Sequence, residues 1–446
     1  MTSTPRDIDL LIFARWILPI VPAGRVLNDC CLAVHQGIIL GVYTVNEAKL
    51  LYRSQQSVEL MEHVLMPGLV NAHGHAAMSL LRGYADDLPL SSWLHQYIWP
   101  AEKRWVSEAF VRDGTELALA EMIRSGTTCM ADMYFFPETI ASIAHRAGLR
   151  AQIHFPIFDF ATAWGTGPDD YIHKGIELHD AYKSSQLISI GFGPHAPYTV
   201  SDAALQRVVT LAEELQAPIQ IHLHETASEV EDALAATGLR PIARLNQLGL
   251  LGPLTQCVHM TQLNDDDMDI IAATGASVVH CPESNLKLAS GLCPVQALLD
   301  RGINVALGTD SAASNNDLDL FGEMRTAALI AKVAAGNAAA VDAHTALHMA
   351  TLGGAKALGL ENCIGSLEPG KAADLIAVKL SDVESAPVHH LASQLVYSAS
   401  GHRVSHSWVN GKLLMRDRQL LTLSHNDILA KAQQWEAKLR PYQDTL

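Results

Sequence analysis

Residues 64–75 read Val64-Leu-Met-Pro-Gly-Leu-Val-Asn-Ala-His-Gly-His75, an apolar run that stops on two histidines one residue apart. The same kind of run recurs at 126–132, 150–157, 188–193, 217–223, 256–260, 276–281 and 304–309, counting 64–73 as the first. Longer amphipathic stretches separate the runs, and that rhythm signals βα units around a parallel sheet. Eight such units fit a closed barrel better than an open sheet. The intervening helices carry local signals. In 201–215, Ser201 can cap the start, and Leu205, Val208, Val209, Ala212 and Leu215 form one apolar stripe. In 264–273, Asn264 can cap, Asp265 to Asp267 suit the positive end of the helix dipole, and Gly275 is a natural stop.

The two ends of the chain read differently. Short β-like runs (Leu10–Ile12, Cys31–Val34, Leu375–Val378, Ser407–Val409) alternate with Gly, Asp and Asn turns. The expected fold is therefore α/β: a (β/α)₈ TIM-like barrel over 64–365, with a small β-sandwich domain built from 1–63 and 366–446. With 446 residues the chain has room for a barrel of roughly 250 residues and a second unit.

Composition narrows the function classes. Hydrophobic residues make up 49% and charged residues only 17%, which excludes a disordered or coiled-coil protein. The net charge of −16 repels phosphate backbones and anionic lipid heads, so neither nucleic acid nor a membrane is an expected partner. A small neutral or cationic substrate suits such a surface better, and a homo-oligomer stays open. Seven cysteines with no Cys-x-x-Cys read as reduced thiols of a cytoplasmic protein. The N-terminal stretch has no secretion pattern, and the alanine-rich segment 327–341 is broken by Lys332 and Asn337.

The chemistry gathers at the ends of the expected strands. His73 and His75 are two residues apart on a strand, so both side chains point the same way and can grip one ion. The spacing alone says little, since 21 histidines in 446 residues give about one such pair by chance. Position says more, because active sites form at the C-terminal ends of barrel strands. The fifth strand ends in His222, His224 and Glu225, the sixth in His259 and the eighth in Asp310. Taken alone, Asp310 equally fits a helix-capping residue. Four strand ends converging on His and Asp fit a single metal held by His73, His75, His222 and Asp310. This donor set suits Zn2+, with Fe2+ as the alternative. A bound water would have its pKa lowered from about 15.7 toward 7. No lysine ends a middle strand to bridge two metals. Glu225 lies three residues past His222 and can protonate a ring nitrogen as general acid, though alone it equally fits a solvated carboxylate opening the next helix. His259 can orient or deprotonate the water. His224 is assigned to packing behind the ligands.

These residues bear a family resemblance. Met66 to His75, His222-Leu-His-Glu225, His259 and Gly308-Thr-Asp-Ser-Ala-Ala-Ser-Asn-Asn316 resemble the amidohydrolase superfamily, and Ile364 to Asp374 is similar to the start of its returning β-domain. Within it the chain resembles the 5-methylthioadenosine/S-adenosylhomocysteine deaminases. The resemblance implies hydrolytic deamination of an adenine ring, with Glu225, His259 and Asp310 catalytic. It also implies that Trp93 lies over the nucleoside, that Glu102 accepts bonds from both ribose hydroxyls, and that His195, in Gly191-Phe-Gly-Pro-His-Ala-Pro-Tyr198, faces the substrate beside His222 and Glu225. Gly74 stands where relatives often carry threonine, and a side chain there is expected to point away from the metal. Relatives that accept S-adenosylhomocysteine place arginines between the third and fourth strands. Residues 151–200 have none, offering Lys174, Lys183 and the aromatic residues Phe155, Phe158, Phe160 and Trp164. The alternatives are a guanine or cytosine deaminase, a triazine hydrolase, and a barrel kept as a non-catalytic scaffold. The acid at Glu225 favours hydrolysis of a ring C–N bond, and the complete ligand set disfavours the scaffold.

Overall fold

The computed structural model describes residues 5–443, so the first four and last three residues of the expected composite domain lie outside it. The chain opens with β1 (Arg6–Ile17), β2 (Leu27–His35), β3 (Ile38–Thr44) and β4 (Tyr52–Pro67). A parallel series follows: β5 (Leu69–Asn71), β6 (Thr127–Asp132), β7 (Arg150–Ile157), β8 (Ile188–Pro194), β9 (Ile219–Leu223), β10 (Thr255–His259), β11 (Ser277–His280) and β12 (Val305–Leu307). The chain then returns through β13 (Leu375–Lys379), β14 (Val404–Val409), β15 (Lys412–Arg416) and β16 (Gln419–Leu420).

Strands β5 to β12 lie side by side in sequence order. The seam between the first and last is bridged where Ala72 N donates to Leu307 O at 2.9 Å and Asp310 N donates to His73 O at 3.1 Å. This is the expected TIM-like barrel, and the seam joins two of the histidine- and aspartate-bearing strand ends. The other strands form a mixed sheet in the order β16-β15-β14-β13-β4-β1-β2-β3, in which the chain ends meet where β13 runs antiparallel to β4. Leu10, Ile12, Leu32, Leu65, Leu375 and Trp408 pack together as one core of this sheet.

The first barrel strand is shorter than the apolar run suggests. Residues 64–67 complete β4 of the mixed sheet, and only Leu69–Asn71 belongs to the barrel. The handover falls at Gly68, where a Cβ would sit 2.0 Å from Thr128 Oγ1, so a side chain has no room. The far end also departs from the β-like reading. His425–Gln443 is a helix that packs on helix Glu108–Ser125, with Trp435 Nε1 donating to Asp113 Oδ2 at 3.0 Å.

The two helices with sequence signals form as expected, with one exception. Asp265–Thr274 is closed by a capping box between Asn264 and Asp267 and ends at left-handed Gly275. Asp202–Leu215 buries Leu205, Val208 and Ala212, but Ser201 makes no capping bond, because its hydroxyl turns to Asp159 Oδ1 at 3.2 Å. Among the described residues, no helix is long and apolar enough to cross a membrane.

One buried ion pair ties the barrel to the mixed sheet. Arg150, at the start of β7, holds Asp374, just before β13, through Nε–Oδ2 at 2.7 Å and Nη2–Oδ1 at 3.2 Å. Both are nearly inaccessible to solvent. Asp374→Ala leaves the guanidinium buried and unpaired, so urea unfolding should show a loss of about 3–5 kcal/mol. Replacing both partners with apolar residues should recover much of that loss.

Candidate active site

The C-terminal ends of the barrel strands place five potential ligands around one point. His73 and His75 follow β5, His222 lies on β9, His259 ends β10 and Asp310 follows β12. The ligating atoms of His73, His75 and Asp310 lie within 4.8 Å of one another, as do those of His73, His222 and His259. Asp310 Oδ1 is 3.5 Å from His73 Nε2 and 3.3 Å from His75 Nε2. His259 therefore also stands beside the ligand set, grouped with His73 and His222. The backbone is left-handed at His259 (φ 75°) and Asp310 (φ 58°), a conformation that costs on the order of 1–3 kcal/mol and turns each side chain off its strand.

Each imidazole is set from behind. His75 Nδ1 donates to Met133 O at 2.5 Å and His222 Nδ1 to His195 O at 2.7 Å. His73 Nδ1 meets Gln220 Oε1 at 2.7 Å, and His259 Nδ1 meets Asn285 Oδ1 at 2.9 Å. A carbonyl only accepts, so the Nδ1 atoms each carry a proton, and where the ring is neutral the Nε2 lone pair faces the centre. Burial keeps His73 neutral, lowering it to about 4, and lowers His222 well below the ordinary range. Their Nε2 atoms approach to 3.3 Å with no proton to share, an arrangement that calls for a cation between them. For His75, burial is outweighed by the hydrogen bond and charge of Asp310, which hold it up to about 9, so ligation requires that proton to leave. Asp310 Oδ2 accepts from Ser284 and Ser314, both at 2.7 Å. Three imidazole nitrogens and a carboxylate backed this way fit a single divalent metal.

A cavity of about 600 Å³ opens above these ligands. Glu225, Trp93, Glu102 and His195 all line it, as do Tyr134, Phe135, Phe158 and Phe160. Glu225 is buried, and its Oε2 lies 3.8 Å from His259 Nε2. Burial, reinforced by the Asp310 charge, pushes its carboxyl up to about 8. Glu102, on helix Trp99–Trp105, accepts from Tyr134 Oη at 2.7 Å, and burial pushes it up to about 7. His195 packs on Phe158 with ring centroids 4.7 Å apart, and burial lowers it to about 3.

Several residues fall elsewhere than the sequence suggests. Phe155 and Trp164 do not line the cavity: Phe155 packs at a tilt on Phe192, and Trp164 stacks on Tyr171. Lys174 donates to Trp164 O at 2.7 Å and to Asp170 at 3.0 Å, and among the described residues Lys103 is the one lysine or arginine on the cavity lining. His224 turns away from the ligands, its Nδ1 meeting Gln262 O at 2.9 Å. A Cβ on Gly74 would meet Asp310 O at 3.3 Å, on the backbone side of the seam. The supporting residues Gln220, Asn285 and Ser284 escape sequence reading because they act on ligands of other strands, whereas Ser314 lies four residues past Asp310 within the quoted Gly308–Asn316 stretch. Gln220 also carries a local signal, two residues before His222 on the same strand.

The chain belongs to the amidohydrolase family, whose model matches residues 64–414. It is 56% identical to the 5-methylthioadenosine/S-adenosylhomocysteine deaminase of Teredinibacter turnerae, over 98% of this chain and 99% of that protein. A crystal structure of an adenosine deaminase from Xanthomonas campestris with bound zinc superposes with a TM-score of 0.97 at 49% identity, covering 98% of this chain and 100% of the other. The zinc complex of atrazine chlorohydrolase from Arthrobacter aurescens superposes with a TM-score of 0.89 over 96% of this chain and 99% of the other, and at 22% identity it shares the fold.

Elemental analysis of the purified protein should give about one divalent metal per chain. His73→Ala and Asp310→Ala should each lose the metal and the activity together, and full activity in a metal-free preparation would contradict this account.

Proposed function

We propose that the chain removes the amino group from the adenine ring of a small nucleoside by hydrolysis, with 5′-methylthioadenosine the preferred substrate. The products are ammonia and the corresponding inosine analogue. The observation that carries this reading is Glu225, a buried carboxyl beside a metal-ligand set in an aromatic-lined cavity. The relatives named for adenine nucleosides support it. The catalytic unit is the barrel that begins at Leu69, braced by the mixed sheet built from both ends of the chain.

His73, His75, His222 and Asp310 hold the ion. We take it to be zinc, on the donor set and the zinc-bound relative. When bound, a divalent ion activates a water for attack on the ring carbon bearing the amino group. Glu225 donates its proton to the ring nitrogen next to that carbon, so charge does not build up on the ring as the new C–O bond forms. His259, fixed by Asn285, orients the water and takes up one of its protons, which then reaches the departing amine, while the remaining hydroxyl proton returns to Glu225 as the ring C=O forms. Trp93 covers the base, Glu102 accepts from the ribose hydroxyls, and neutral His195 faces the substrate beside His222. All seven cysteines are free, and all but Cys30 and Cys363 are buried, in keeping with a cytoplasmic enzyme.

The cavity also bears on the 5′ group. Phe135, Phe158 and Phe160 offer apolar surface to a thioether. Against the amino-acid tail of S-adenosylhomocysteine, the lining provides, among the described residues, Lys103 as its one lysine or arginine, alongside the acids Glu102, Glu225 and Asp310. A lysine does not reproduce the bidentate grip of arginine on a carboxylate.

Two outcomes test the reading. Glu225→Gln should retain its metal and lower kcat by roughly 10²–10⁴-fold. Because the active form is the acid, wild-type activity should fall as pH rises through the Glu225 titration, and the variant's residual activity should lack that limb. Normal turnover in the variant would remove Glu225 from the reaction. Second, kcat/KM for 5′-methylthioadenosine should exceed that for S-adenosylhomocysteine on one preparation. A ratio at or below unity would refute the preference, and Lys103→Ala would then show whether that lysine supplies the missing grip.

A further inference from the structure

Beneath the ligand cluster, three glutamines occupy a barrel interior otherwise filled mainly by apolar side chains. Gln152 lies on β7, Gln220 on β9 and Gln256 on β10, where Gln256 is the register partner of Gln220. None is more than 2% exposed. Burying an amide is costly unless its hydrogen bonds are made, so a polar layer here needs a reason.

The bonds run in one direction. His73 Nδ1 meets Gln220 Oε1 at 2.7 Å. Gln220 Nε2 donates to Ala72 O at 3.0 Å and to Gln256 Oε1 at 2.6 Å. Gln256 Nε2 donates to Gln152 Oε1 at 2.7 Å, and Gln152 Nε2 donates to Leu358 O at 3.0 Å. An amide can turn by half a revolution with little change of shape, so something must fix which end faces His73. The two main-chain carbonyls do so. Ala72 O and Leu358 O only accept, which orients the NH2 groups of Gln220 and Gln152 toward them and leaves the Gln220 oxygen for His73. His75 and His222 take their orientation directly from main-chain carbonyls, so among the metal-holding histidines His73 depends on a side chain.

We infer that Gln220, locked by Gln256 and Gln152, is a positioning residue that keeps the His73 proton on Nδ1 and its Nε2 lone pair free for the metal. With no acceptor behind it, the ring would populate the other tautomer, whose Nε2–H points at the ligand point and must be lost before the ion binds. Aligned bonds in such a chain also polarise one another and make Nε2 a better donor. The inference rests on the metal site and not on the choice of substrate.

The test is zinc affinity of the metal-free protein, measured by competition with a chromophoric chelator and without any substrate. Gln220→Leu should bind zinc about 10–100-fold more weakly. Gln220→Glu keeps an oxygen facing Nδ1 but gives up the NH2 donated to Ala72 O and Gln256 Oε1, so it should bind zinc more tightly than Gln220→Leu and less tightly than the unsubstituted chain, a partial rescue that a purely space-filling role would not give. Gln256→Leu touches no ligand and should weaken zinc by less than Gln220→Leu. It also serves if Gln220→Leu does not fold, since unchanged affinity in Gln256→Leu would show that no chain operates. Wild-type affinity in Gln220→Leu, or an equal loss in Gln220→Glu, would overturn the inference. Failure of the deaminase reading would show instead as absent turnover with zinc affinity intact.

Discussion

Two unprotonated nitrogens, His73 Nε2 and His222 Nε2, face each other at 3.3 Å inside the barrel, with a carboxylate beside them. Lone pairs do not sit at that distance without a cation to bind, and much of the structure serves to hold them there. The Nδ1 protons are engaged by Gln220 and by His195 O. The seam between β5 and β12 brings His73 and Asp310 into bonding contact through their main chains. Left-handed backbone at His259 and Asp310 turns their side chains inward, a strain that the surrounding barrel sustains.

The same burial that neutralises His73, His195 and His222 acts in the opposite sense on the acids. Desolvation lowers His73 and His195 but raises Glu225 and Glu102. One apolar cavity can thus offer neutral nitrogens for a metal and a protonated carboxyl for the substrate at a single pH. Aromatic residues on the strand-end loops and the helical segment 90–105 line the cavity above both.

Much of this was legible in the sequence, because barrel strands are short apolar runs and functional side chains stand at their ends. His73, His75, His222, His259 and Asp310 each mark the end of such a run. Misreadings arose where neighbours, not local pattern, decide. The run from Val64 looked continuous, yet Thr128 against Gly68 divides it between two sheets. Phe155 and Trp164 lie in the same aromatic stretch as Phe158 and Phe160, but they pack on Phe192 and Tyr171 outside the cavity. Gln220, Gln256 and Gln152 are far apart in sequence, and only the closed barrel makes them consecutive.

The central claim is that this metal site deaminates an adenine nucleoside. The most direct measurement is ultraviolet absorbance of the zinc-loaded protein with a panel of adenine nucleosides, run beside guanine, cytosine and a chlorotriazine. The account predicts conversion of the adenine chromophore to the hypoxanthine chromophore, fastest with 5′-methylthioadenosine. Turnover of guanine, cytosine or the triazine with every adenine nucleoside left unchanged would contradict it.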